Sequence, residues 1–243
     1  MDGSGARRSG EGAPGMLVGI HQPHYLPWLR YFEKIARSDA FIVLDTVQFS
    51  KNGWQNRNKI KTARGVGLLT VPVHANLHDP IARIAVRRDG KWRRKHWQSI
   101  RQSYAKAPYF EAHAAFFETV YAQDWALLAD LNRHLLDYFL AALGIDTPVA
   151  YASELDVPGT ATERLANLVK AVGGDTYYSG AFALDEYLDA DLLAREGIGL
   201  ELQDWTAPVY PQLHGPFVAD LSIIDLIMNC GPDSLAIILG GNA

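Results

Sequence analysis

The chain has 243 residues, 48% of them hydrophobic and 21% charged. That is enough to bury a core without a staple, as one large or two small globular units. The net charge of −4 excludes an overall basic field of the kind that gathers nucleic acid. A single cysteine, Cys230, excludes a disulfide framework and points to a reducing, cytoplasmic setting.

Residues 1–15 are rich in Gly, Ser, Arg and Ala and have no apolar run. They predict a disordered tail and not a signal peptide. No apolar run in the chain approaches the roughly 18 residues of a membrane span. Residues 16–18 begin a buried strand, which leads into His21-Gln22-Pro23-His24-Tyr25-Leu26-Pro27-Trp28. Leu29, Phe32 and Ile35 or Ala36 then recur at helical spacing. Pro27 suits a first helical turn, where its missing N–H costs nothing. Ser38-Asp39 breaks the pattern, and 41–45 reads as a second buried strand. A strand, a His-x-x-His turn, a helix and a strand make a βαβ unit with parallel strands. Ligands bind at the carboxyl ends of such strands, which makes His21 and His24 candidate site residues.

The polar run 48–59 follows and reads as a loop with an Asn52-Gly53 turn. In it, Lys51, Arg57 and Lys59 can meet phosphate or carboxylate, and Gln48, Asn56 and Asn58 can fix orientation. The same run also reads as a solvated loop with Trp54 packed on the core. Residues 67–73 read as a third buried strand, and 81–86 as a short one. His74 and His78 lack a Cys or Glu at a usual zinc spacing, so no metal is predicted. The basic run 91–100 fits a helix with a solvated basic face and Trp92, Trp97, Ile100 and Tyr104 on the other side. Basic residues interleaved with Trp can also dock nucleic acid or an anionic substrate.

Residues 109–143 are strongly helical, with Gly144 as the stop. A strand starts at 148–151. Thr160 and Glu163 form a capping box before a helix through Val172, and a role in the site is the other reading of Glu163. A short strand then ends at Ser179-Gly180, again facing a ligand crevice in an α/β fold. An acidic helix over 184–193, a strand over 198–202, a loop over 210–215 and an apolar helix over 221–231 complete the chain. Cys230 in that last helix reads as a small core residue and not a nucleophile. The alternation argues for one α/β domain over 16–243. Its expected form is a Rossmann-like parallel sheet with flanking helices and a helical insertion at about 92–143.

Several motifs together resemble the WbqC-like family. They are His21 to Trp28, Leu44-Asp45, Val47-Gln48-Phe49-Ser50-Lys51, Asn56-Arg57-Asn58, the Thr-Glu-Arg-Leu at 162–165, Tyr178-Ser179-Gly180, and the Tyr-Pro-Gln-Leu-His-Gly at 210–215. The resemblance runs from about Leu17 to the C-terminus. The family is associated with O-antigen, polysaccharide and natural-product gene clusters and has no general assigned reaction. A more distant similarity is to the nucleotidyltransferases with a His-x-Gly-His signature, pantothenate synthetase among them. That similarity implies ATP and Mg2+. It makes His21 and His24 phosphate clamps at a helix N-terminus, sets Gln48 on the substrate and sets Lys51 on the γ-phosphate. Pro23 stands where that signature has glycine; it removes one N–H and blocks close backbone approach.

Three functions follow as expectations. The first is an enzyme that activates a small carboxylic acid with ATP and passes the acyl or aminoacyl group to an amine. The second is a transferase using a preactivated donor such as an aminoacyl-tRNA, a nucleotide sugar or an acyl carrier. In it His21 or His24 is a general base oriented by Asp45 or Asp225, and tRNA or a carrier protein docks at 91–97. The third is a non-catalytic ligand-binding subunit. The candidate catalytic residues are His21, His24, Lys51 and Asp45. The candidate substrate-binding residues are Gln22, Tyr25, Gln48, Ser50, Trp54, Asn56, Arg57, Asn58, Glu163, Arg164, Ser179, Gly180 and His214.

Overall fold

Strand β1 (Leu17–His21) turns Val18 and Ile20 to one face of the sheet, as period-2 geometry requires. Val18 and Ile20 join one cluster, with Ile42, Leu165, Leu168 and Val169. The opposite face of the sheet, with Phe41 and Val43, packs on Leu29, Phe32 and Ile35 of helix α1 (Leu29–Arg37). Each such fully buried side chain contributes roughly 1.5–3 kcal/mol, so α1 is held firmly against the strands. β2 (Ala40–Val43) pairs parallel with β1, Val18 opposite Ala40 and His21 opposite Val43. The first βαβ unit therefore forms as its hydrophobic pattern predicts. The computed structural model describes residues 15–76, 78–180, 184 and 188–240. All of the predicted N-terminal tail but Gly15 lies outside them.

After β2 the chain leaves the sheet. β3 (Arg57–Thr62) and β4 (Gly65–Thr70) form an antiparallel hairpin, Arg57 opposite Thr70 and Thr62 opposite Gly65. Residues 48–56 of the polar run are thus loop, and 57–59 are strand. The apolar run 67–73 is no buried strand of the main sheet. Only Leu69 and Val71 of it are buried, while Leu68, like Val66 before it, is 52% exposed. An antiparallel pair can leave one face wet, and a short apolar run does not distinguish that from full burial. β5 (Val73–His74) pairs with β6 (Ala85–Val86). A 3-10 turn over Ile81–Arg83 takes the first half of the strand expected at 81–86.

The helical insertion consists of α2 (Lys91–Tyr104), α3 (Phe110–Ala122) and α4 (Leu128–Leu143). Gly144 ends α4 in the left-handed region at φ 70°, and its N–H bonds Ala141 O and Leu140 O. The chain re-enters the sheet at β7 (Val149–Tyr151), then runs through α5 (Ala152–Leu155), α6 (Ala161–Ala171) and β8 (Thr176–Gly180). Next come α7 (Ala190–Arg195) and β9 (Gly199–Gln203). Of the acidic helix expected over 184–193, residues 185–187 lie outside the described part, and α7 takes up its end. α8 (Ile223–Cys230) and α9 (Ser234–Ile238) close the fold. Ser222 caps α8, its Oγ accepting from Ile224 N. Among the described residues no helix is long and apolar enough to cross a membrane.

The main sheet has the order β7-β2-β1-β8-β9, and every neighbouring pair is parallel. The protein is therefore α/β and Rossmann-like. The chain moves outward from β1 through β2 to β7, then crosses to β8 and β9 on the other side. The order reverses between β1 and β8, and a crevice must open there at the carboxyl ends of the strands.

Candidate functional site

A cavity of about 710 Å³ lies at that reversal, a size suited to a small-molecule site. His21 and Gln22 enter it from the end of β1, Leu44 and Val47 from beyond β2, and Gly180 and Gln203 from the ends of β8 and β9. Arg30, Tyr31 and Lys34 reach it from α1, and Thr160, Ala161 and Arg164 from the start of α6. The described lining holds Arg30, Lys34 and Arg164 but no Asp or Glu.

His21 Nδ1 lies 3.0 Å from the Gln22 carbonyl oxygen. A carbonyl only accepts, so Nδ1 carries the proton and Nε2 is left as the bare nitrogen. Burial lowers the His21 pKa to about 4, helped by Lys34 and opposed by the Gln22 carbonyl. His24 stands behind it, 6% exposed, with ring centroids 4.7 Å apart and edge to face. Burial, then His21, then Lys34 hold its pKa well below the usual value. Both imidazoles are neutral at pH 7. They can meet an anion by N–H donation or take a proton at a free nitrogen, but neither brings charge.

His24 does not line the large cavity. It lines a small one of about 10 Å³, with Tyr31, Asn132 and Tyr151. His24 Nδ1, Tyr31 Oη, Asn132 Oδ1 and Tyr151 Oη are all buried there without a hydrogen-bond partner. The space is about that of one water, which bonds two to four polar atoms.

The remaining candidates divide by where the fold puts them. Gln22, Arg164 and Gly180 line the large cavity with His21, and Gln55 Nε2 donates to Gln22 Oε1 at 2.7 Å. Asp45 is buried and serves α5, its oxygens accepting from Ser153 N at 2.9 Å and Ser153 Oγ at 2.6 Å. Tyr25 is buried, its hydroxyl 2.9 Å from His96 Nδ1 and 2.5 Å from Tyr121 Oη. Asn56 Nδ2 donates to Val71 O and Asn58 Nδ2 to Leu26 O. The latter bond fixes the turn where Leu26 takes φ 49°. Arg57 bonds Asn52, and both Arg57 and Lys59 lie over the Trp54 ring, which packs 5.1 Å from Trp28. Gln48 and Ser50 are exposed, the first facing His78. Lys51 is exposed and makes no hydrogen bond or ion pair among the described residues.

Three motifs near the end of the chain behave differently from their sequence reading. Thr160 makes no capping bond, so the capping box with Glu163 does not form. Ala161 takes φ 45° at the first helical position, and Thr160 turns to the cavity while Glu163 is exposed. Ser179 is fully buried with its hydroxyl unpartnered and lies outside the cavity lining. The 210–215 motif wraps the buried Lys61, whose ammonium donates to Gln212 Oε1, Gly215 O and Pro216 O. His214 Nε2 bonds Ser103 O at 2.6 Å. Asp225 belongs to this group too and accepts from Tyr104 Oη at 2.9 Å. In the basic run, Trp92 and His96 are buried, Arg93 pairs with Asp124, and Arg94 and Lys95 stay exposed. Burial pushes the Cys230 thiol up to about 11.

The residues that sequence reasoning missed are Arg30, Tyr31, Lys34 and Gln203. Arg30 and Lys34 are four apart, on one helix face. That spacing was the available signal, but a lysine in a last turn reads as a solvated partner of the helix dipole. No group of three or more His, Cys, Asp or Glu among the described residues stands close enough to hold a metal.

The profile of the WbqC-like protein family matches residues 22–237. The chain is 35% identical over 222 residues to the uncharacterized protein Rv1507c of Mycobacterium tuberculosis (strain ATCC 25618 / H37Rv). That match covers 89% of this chain and 95% of the relative. No solved structure matches the chain.

Proposed function

The chain belongs to the WbqC-like protein family, and from that premise we propose that it is an ATP-dependent enzyme of polysaccharide or natural-product biosynthesis in the cytoplasm. It activates a small carboxylic acid by nucleotidyl transfer and passes the acyl or aminoacyl group to an amine. The observation that carries this reading is the 710 Å³ cavity at the β1–β8 reversal, with a neutral His21 at the end of β1 and a basic lining. A substrate carboxylate attacks the α-phosphorus of ATP, giving an acyl adenylate and pyrophosphate. The amine then attacks the acyl carbon, AMP leaves, and the amine gives up a proton. His21 Nε2, bare because Nδ1 is committed to the Gln22 carbonyl, is the base for that proton. Among the described residues no carboxylate lines the cavity, so magnesium belongs to this reading only as an ion carried by the nucleotide phosphates.

The test is product analysis with a panel of acids and amines. AMP and pyrophosphate in equal amounts, abolished in His21→Ala, are the expected result. ADP instead of AMP, or full activity in His21→Ala, contradicts it.

One observation favours a second reading, transfer from a preactivated donor without ATP. Lys51, the residue that similarity sets on the γ-phosphate, is exposed and outside the cavity lining. Turnover of an aminoacyl-tRNA, a nucleotide sugar or an acyl carrier in the absence of ATP would establish that alternative.

A further inference from the structure

We infer that Lys34 and Arg164 build a phosphoryl-anion site in the cavity at the β1–β8 reversal. This deepens the proposed function and rests on it only for the identity of the molecule that carries the phosphoryl group.

Lys34 is 4% exposed, and a lysine this buried ordinarily has an anionic partner. Its ammonium makes no hydrogen bond or ion pair among the described residues, and the Glu33 carboxylate acts on it only through space. The neighbouring acid on its helix is already taken, since Glu33 accepts from Arg37 Nε, Tyr178 Oη and Gln203 Nε2.

The fold makes room for this side chain at Gly19. A Cβ on Gly19 would lie 3.3 Å from Lys34 Cγ and 2.5 Å from Ser38 Oγ. A bare backbone in β1 therefore lets α1 approach and the lysine stem cross the strand. A Cβ on Gly180 would lie 3.7 Å from Lys34 Nζ. The ammonium thus ends beside the last residue of β8, where the strand order reverses.

Arg164 supplies the second cation. Its Nε is buried without a partner, and the side chain lines the same cavity from the first turn of α6. Arg30 adds a third cation, with its guanidinium 5.5 Å from the Trp205 ring centroid. One buried unpartnered donor and three cations, with no carboxylate in the described lining, call for a ligand with several oxygens and more than one negative charge. A phosphoryl group meets that requirement, and a lone carboxylate balances only one of the three charges. Burial lowers the Lys34 pKa to about 8, and a bound anion would hold it protonated.

The experiment is calorimetric titration of the full chain with inorganic pyrophosphate, inorganic phosphate and acetate. Wild type, Lys34→Met, Arg164→Met and, as a control for diffuse surface charge, Lys95→Met are compared. Thermal melting with and without pyrophosphate provides a second readout. Wild type and Lys95→Met are expected to bind pyrophosphate alike. Lys34→Met and Arg164→Met are each expected to bind it at least tenfold more weakly, with the melting shift lost. Removing an unpaired buried charge should leave Lys34→Met folded, and Arg164→Met carries the test if it is not. The inference is overturned by a wild type that ignores both phosphate and pyrophosphate, by variants that bind like wild type, or by acetate that binds as tightly as pyrophosphate. Weakened pyrophosphate binding in the variants, with no AMP from ATP, keeps the site and removes the ATP reading. AMP release with unchanged pyrophosphate binding in both variants does the reverse.

Discussion

At the scale of single residues, the His-x-x-His turn works through neutral imidazoles. The carbonyl of Gln22 sets the His21 tautomer, and burial keeps the ring uncharged. Nitrogen-detected NMR should find His21 protonated at Nδ1 and not titrating between pH 8 and 5.5. A midpoint near 6.5 would contradict the burial argument. His24 is tied to a second feature, the small polar cavity it shares with Tyr31, Asn132 and Tyr151. Asn132 Nδ2 also donates to Gln55 O at 2.9 Å. Asn132→Leu strands that carbonyl and removes one wall of the polar cluster. It should destabilise the protein by roughly 1–3 kcal/mol in chemical denaturation, and no loss would show that the bond to Gln55 carries no stability. His21, Gln22, Arg164 and Gly180 were legible as cavity residues because each ends or follows a strand or lies in the first turn of a helix. Asp45, Asn56 and Asn58 carry the same polar chemistry but spend it on Ser153, Val71 and Leu26, which a sequence does not reveal.

At the scale of elements, α1 does two jobs. Leu29, Phe32 and Ile35 anchor it in the core, while Arg30, Tyr31 and Lys34 face the cavity. Its position depends on Gly19, where a Cβ would come within 2.5 Å of Ser38 Oγ and 2.9 Å of Phe41 Cδ2. Gly19→Ala should therefore cost roughly 1–3 kcal/mol through overpacking and weaken pyrophosphate binding along with stability. A variant of wild-type stability would show that α1 has slack. The long periodic helices of the insertion and the first βαβ unit were readable from spacing alone. The β3–β4 hairpin was misread because Gly67 to Val73 is apolar at nearly every position, and burial of one face or two is decided by what packs against it. The 210–215 motif looked like a site, but its polar atoms close over Lys61, a residue more than 150 positions earlier.

At the scale of the whole molecule, the parallel order β7-β2-β1-β8-β9 brings the ends of four strands and the starts of two helices to one crevice. The alternation of strands and helices foretold the fold class, whereas the place of the reversal depends on the pairing of β1 with β8 across more than 150 residues. The same burial has a global consequence for pH. His21, His24 and His96 are all held neutral by burial. Between about pH 6.5 and 4 the unfolded chain binds protons at these sites that the folded chain does not. Stability must fall as pH falls through that window, by up to about 1.4 kcal/mol per pH unit for each group. Lys34 adds the same sign at the alkaline end, because its folded pKa of about 8 lies below the ordinary 10.5. Its contribution to stability therefore rises with pH between those values. Urea midpoints at pH 7 and pH 5 should differ accordingly, and His96→Gln should shrink the difference. Equal midpoints would contradict neutral burial of the histidines.

The most direct measurement is calorimetric titration of ATP with Mg2+ into wild type and His21→Ala. Micromolar binding to the wild type is expected, weakened tenfold or more by the substitution, which is about 1.4 kcal/mol. No binding to the wild type, with candidate acids present as well as absent, would contradict it. So would equal binding by the two proteins, because the nucleotide would then sit somewhere other than the crevice at the end of β1.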